Sequence, residues 1–88
     1  MTDDHVRGFL KHLEIARAAS KHTLLAYAGD LKAFAAYLAP LGVELLKVTH
    51  LHVRGFLGVQ AVDHAATSRA RRLAALKAFY GYLVRRKV

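Results

Sequence analysis

Residues 20–39 read SKHTLLAYAGDLKAFAAYLA, and this stretch decides the fold. Leu24, Tyr27, Leu31, Phe34 and Leu38 recur at steps of three and four, which places them on one stripe of an α-helix. Ser20 is a natural N-cap, since its side-chain oxygen can accept from the first free backbone N–H groups. Pro40 and Gly42 stop the helix at its far end. Working outward, Val6, Phe9, Leu10, Leu13 and Ala16 predict an earlier helix near 3–18, opened by Thr2 or Asp3. Downstream, Thr49 caps a third helix near 49–60 with Leu51, Val53, Phe56 and Leu57 as its apolar set. Thr67 or Ser68 opens a fourth, near 67–86, with Leu73, Leu76, Phe79, Tyr80 and Leu83. Val43, Leu45, Leu46 and Val48 could form a strand, but no partner strand exists, so residues 40–48 are expected as an extended loop packed on the core. The expected architecture is an all-α bundle of four helices that buries Leu24, Tyr27, Leu31, Phe34, Leu73, Leu76, Phe79 and Leu83 together.

A chain of 88 residues makes one domain, large enough for a core without covalent staples. The absence of cysteine rules out disulfides and thiolate metal sites. No apolar run is long enough to span a bilayer, and Met1-Thr2-Asp3-Asp4 is too acidic for a secretory signal, so a soluble cytoplasmic protein is expected. Fourteen Lys and Arg against six Asp and Glu give a net charge of +8, with a pI near 10.3. From His64 to Val88 there are seven basic residues (Arg69, Arg71, Arg72, Lys77, Arg85, Arg86, Lys87) and no acid. A helix with one face in the core and cations on the rest suits a polyanion, which makes nucleic acid the first partner to consider.

The candidate contacts follow from the helix faces. Opposite the apolar stripe, the second helix carries His22, Leu25, Gly29, Lys32 and Ala36. The fourth carries Thr67, Arg71, Ala74, Ala75, Ala78 and Tyr82 on the corresponding side. Small residues around one or two cations allow close approach to a major groove. Alanine is equally the best helix former on a solvated face. The two helix starts, Ser20-Lys21-His22-Thr23 and Thr67-Ser68-Arg69, set hydroxyls and cations beside free N–H groups, as a phosphate needs and as ordinary capping also explains. The expected DNA-binding set is therefore Lys21, His22, Thr23, Lys32, Thr67, Ser68, Arg69, Arg71, Arg72 and Lys77. Arg71 is expected outward, with its loss weakening DNA binding and leaving stability nearly unchanged; the competing role is an ion pair with Asp30 or Asp63. His50 and His52 diverge by about 200° on a helix and cannot chelate together, and no metal or cofactor is expected. Tyr27 and Tyr80 fall on core stripes and no Arg-Lys-His constellation accompanies them or Tyr82, so all three are read as structural rather than nucleophilic.

Three segments resemble a known family. Residues 20–34, SKHTLLAYAGDLKAF, resemble the S-x-x-T-x-x-A-Y-x-x-D-L-x-x-F segment of Xer-type tyrosine recombinases of the phage integrase family. Residues 48–57, VTHLHVRGFL, and 68–83, SRARRLAALKAFYGYL, resemble that family's V-T-x-x-x-V-R-x-F-L and S-x-A-R-R-L-S-A-L-R-x-F-Y-x-x-L helices. The resemblance implies an N-terminal core-binding domain over residues 1–88, a four-helix SAM-like orthogonal bundle forming half of a clamp on double-stranded DNA. It implies that the second and fourth helices face the major groove. The catalytic tyrosine would lie in a separate domain, so this chain is expected to be non-catalytic. The isolated domain would be a monomer, its parent a tetramer on DNA in the bacterial nucleoid. Ala28 and Gly29 stand where many relatives are basic, and the 63–66 connection lacks their usual glycine. The alternative is a basic helical domain that binds an acidic protein partner.

Overall fold

The computed structural model describes the backbone of residues 2–63 and 66–86, and the side chains of 4–59 and 69–86. In chain order it contains α1 (Thr2–Ala16), α2 (Lys21–Leu38), two short 3-10 turns (Ala39–Leu41 and Leu45–Lys47), α3 (His50–Asp63) and α4 (Ala66–Arg85). No strand occurs among the described residues, so the all-α bundle is the fold. No described helix is long and apolar enough to cross a membrane.

Helix boundaries have local causes. Ser20 adopts an extended backbone, and its Oγ accepts from the Thr23 N–H at 3.1 Å, capping α2. At the other end, Gly42 takes φ 68° and its N–H returns to the Ala39 carbonyl at 3.1 Å, a left-handed turn that glycine makes at little cost. The first helix ends at Ala16, short of the expected 18, because Ala18 turns left-handed with φ 50°. There the Leu13 carbonyl accepts from both Arg17 and Ala19. The third helix runs past the expected 60 to Asp63, and the fourth opens at Ala66, one residue before Thr67. The side chains of Thr67 and Ser68 lie outside the described residues.

Residues 40–48 are not one extended loop. They form the two 3-10 turns, anchored by buried Leu45, whose carbonyl accepts a hydrogen bond from the Tyr80 hydroxyl at 2.9 Å. A chain reversal this short satisfies its carbonyls locally, and that favours turns over extended backbone.

The core unites Phe9 and Leu13 of α1, Leu31, Phe34 and Leu38 of α2, Leu45, Phe56 of α3, and Leu76, Phe79, Tyr82 and Leu83 of α4. Phe9 meets Phe79 edge-on at 5.4 Å, and Phe34 tilts against Phe56 at 5.1 Å. Of the expected core, Leu31, Phe34, Leu76, Phe79 and Leu83 are buried, while Leu24, Tyr27 and Leu73 are half-buried at its margin. One expectation is overturned. Ala75 and Tyr82 do not face outward but are 0% and 6% exposed. The reason is that α4 packs against α1, α2 and α3, so its buried arc is wider than one stripe. Gly8 makes room for this packing, since a Cβ there would stand 2.9 Å from the Tyr82 hydroxyl.

Candidate nucleic-acid interface

On α2 the expected outward residues His22, Leu25, Gly29, Lys32 and Ala36 are all exposed, together with Lys21. At the helix start, Ser20 donates to Thr23 Oγ1 at 3.0 Å while accepting the Thr23 N–H. These two hydroxyls therefore satisfy each other and the first turn, while Lys21 and His22 point their charge and ring to solvent. On α4 the exposed side is Ala70, Arg71, Ala74, Lys77, Val84 and Arg85. It keeps the mixture of small residues and cations, rotated away from Ala75 and Tyr82.

Asp30 joins the two helices. It lies in the middle of α2 and is 1% exposed. Its Oδ2 accepts from Arg71 Nε at 3.0 Å and its Oδ1 from Arg71 Nη2 at 2.6 Å. Arg72 Nε reaches Oδ1 as well, at 3.2 Å. A carboxylate taken this far from water needs such charged donors, because an unpaired one would be strongly destabilising. The Asp30 hydrogen bonds, and after them its charge, hold the Arg71 guanidinium above its ordinary pKa. Of the two roles expected for Arg71, the ion pair is present, and Asp30 rather than Asp63 is its partner.

The arginines of α4 thus differ. The Arg71 side chain is 45% exposed, so a guanidinium tied to Asp30 still meets solvent. Arg72 is turned inward, 15% exposed, with its guanidinium 6.0 Å from the centre of the Phe56 ring. Burial removes Arg72 from the solvent-facing set. Arg69 is half-buried, and its Nε has no hydrogen-bond partner among the described residues. Lys77 is exposed about 9 Å along the axis from Arg71, six residues at 1.5 Å each. Arg86 lies over the Tyr82 ring at 5.3 Å.

Sequence reasoning gave no role to His52. Its Nδ1 accepts the Thr49 N–H at 2.9 Å, the reciprocal half of a capping box at the start of α3. The signal was Thr49 followed three residues later by a side chain able to accept. No cluster of three or more metal-ligating side chains occurs among the described residues. Tyr80 is half-buried, and burial pushes its phenol well above the usual range. A further feature is an apolar groove between α3 and α4, about 540 Å³, lined by Val53, Leu57, Leu73 and Tyr80 among others and edged by Arg54 and Lys77.

Fold and charge together define a small, basic, all-helical domain whose second and fourth helices are tied by a buried carboxylate. The chain belongs to the family described as phage integrase, N-terminal SAM-like domain, which matches residues 6–87. It is similar to the tyrosine recombinase XerC of Myxococcus xanthus, 48% identical over 81 residues, covering 91% of this chain and 27% of that protein. It is also similar to XerC of Pelobacter propionicus (39% over 85 residues, 93% of this chain and 28% of that protein). Tyrosine recombinase XerD of Brucella abortus is 39% identical over 79 residues, covering 89% of this chain and 26% of that protein. The chain therefore spans about a quarter of the length of these relatives. No solved structure matches it.

Proposed function

We propose that this chain is the DNA-gripping N-terminal domain of a tyrosine recombinase, with the outward faces of α2 and α4 turned to duplex DNA. On this reading residues 1–88 seat the protein on its target half-site. Strand cleavage and rejoining belong to a separate catalytic domain. The isolated domain is a monomer, its parent a tetramer on DNA in the bacterial nucleoid. The relatives bear the name tyrosine recombinase, which supports this assignment.

The observation that carries the reading is the Asp30–Arg71 tie. It fixes α2 against α4 at Asp30, with the Arg71 side chain still 45% exposed beside the joint, on a basic molecule of charge +8 whose two helices each expose cations, Lys21 and Lys32 on α2 and Arg71 and Lys77 on α4. Lys21, His22, Thr23, Lys32, Arg69, Arg71 and Lys77 are the proposed contacts, with Thr67 and Ser68 at the start of α4. Lys and Arg near a phosphate release condensed counterions, and Gly29, Ala70 and Ala74 let the backbone come close.

Titrating the labelled domain with a short duplex and following backbone amide NMR shifts tests the face. The shifts should concentrate in 21–32 and 66–77. Shifts confined to α1 or α3 would put the DNA on another side. A second reading, an acidic protein partner, is favoured by the α3–α4 groove, whose lining among the described residues carries His50, Arg54 and Lys77 and no carboxylate. An acidic peptide that shifts α3 while DNA shifts nothing would establish it.

A further inference from the structure

We infer that Asp30 is a positioning residue of the DNA grip, and that it holds the Arg71 guanidinium with its free edge set for a phosphate. The inference rests on the DNA-binding reading above and adds to it a residue that itself touches no DNA.

Asp30 is an expensive choice for its position. It sits between Tyr27 and Phe34 on the packed side of α2, at 1% exposure, where an apolar residue would join the helices without desolvating a charge. What a carboxylate supplies there is direction. Two oxygens receive two different nitrogens of Arg71, at 3.0 and 2.6 Å, so the plane of the guanidinium is fixed at two points. The fork uses Nε and Nη2. Nη1 makes no hydrogen bond among the described residues, on a side chain that is 45% exposed. The third bond, from Arg72 at 3.2 Å, restrains the carboxylate itself. One carboxylate against two guanidinium groups leaves the cluster positive, so an anion is still attracted. An arginine that samples many rotamers must surrender that freedom when it binds; Arg71 surrenders it on folding.

Simple electrostatics and positioning predict opposite signs for Asp30→Asn. That substitution raises the net charge by one above +8, and charge alone would tighten binding to DNA. Positioning requires that binding weaken, by about three- to tenfold. The assay is fluorescence anisotropy with a labelled duplex at low salt and low temperature, where circular dichroism confirms the helical state. Arg71→Lys keeps the charge, loses the fork and leaves Asp30 paired with Arg72; it should weaken binding to a similar degree. Once Arg71 is replaced by alanine, adding Asp30→Asn should no longer weaken binding. Tighter binding by Asp30→Asn, or an equal loss with and without Arg71, overturns the proposal while leaving the DNA reading intact. Should Asp30→Asn fail to fold, Arg71→Lys decides alone, and wild-type affinity in that variant overturns the proposal. A wild-type chain that does not bind duplex DNA removes the DNA reading and this proposal with it.

Discussion

Replacing Arg71 by alanine should destabilise the domain, and the size of the loss can be worked from the geometry. The substitution removes two charge-assisted hydrogen bonds to Asp30, at 3.0 and 2.6 Å. Fully withdrawn from water, such bonds contribute about 1.5–3 kcal/mol each. The Arg71 side chain is 45% exposed, so solvent already screens it, and Arg72 stays to partner the carboxylate. The net loss should be about 1–2 kcal/mol. In a domain of this size that lowers the melting temperature by roughly 5–15 °C. Asp30→Ala should cost more than Arg71→Ala, because it removes the hydrogen bonds from both guanidinium groups at once, one of them largely buried. Thermal unfolding followed by circular dichroism at the helical band reads both variants. An unchanged melting temperature for Arg71→Ala would refute the reasoning, since the pair would then add nothing to the packing of α2 on α4.

Other substitutions probe the fold elsewhere. Phe34, at 0% exposure, should cost about 3–5 kcal/mol when cut to alanine, and chemical denaturation measures it. Gly29 lies within α2 with nothing within 4 Å of where a Cβ would stand, so Gly29→Ala should stabilise by about 0.5–1 kcal/mol and raise the melting temperature. Gly55→Ala should act oppositely, because its Cβ would meet the Tyr37 hydroxyl at 2.6 Å. Overpacking of that kind costs about 1–3 kcal/mol, and adding Tyr37→Phe should restore part of the lost stability.

The helices were legible where the local signals agree. In α2 the Ser20 cap, the three-and-four stripe and the Pro40–Gly42 stop are all contained within a couple of dozen residues. In α4 a helical wheel misjudged Ala75 and Tyr82, because it assumes one buried stripe while three other helices enclose this one. The Ala18 turn left no residue-level trace, since a left-handed backbone is normally announced by glycine or asparagine. The two 3-10 turns were hidden for a related reason: Leu45 and Leu46 are chemically alike, and only the packed chain decides which is buried. The Asp30–Arg71 pair spans 41 residues, beyond any local pattern. Yet one clue was present. Asp30 stands three residues after Tyr27 and four before Phe34, a carboxylate on an apolar stripe, and such a residue needs a cationic partner from elsewhere.

The most direct test of the central claim is the salt dependence of binding to duplex DNA. If α2 and α4 bring about four phosphates into contact with Lys and Arg, the logarithm of the affinity should fall with the logarithm of salt concentration at a slope near −3 to −4. Affinity at moderate salt should be micromolar or weaker, with little preference for sequence, as expected of half a clamp. Affinity that ignores salt, or no measurable binding at low salt, would contradict the account.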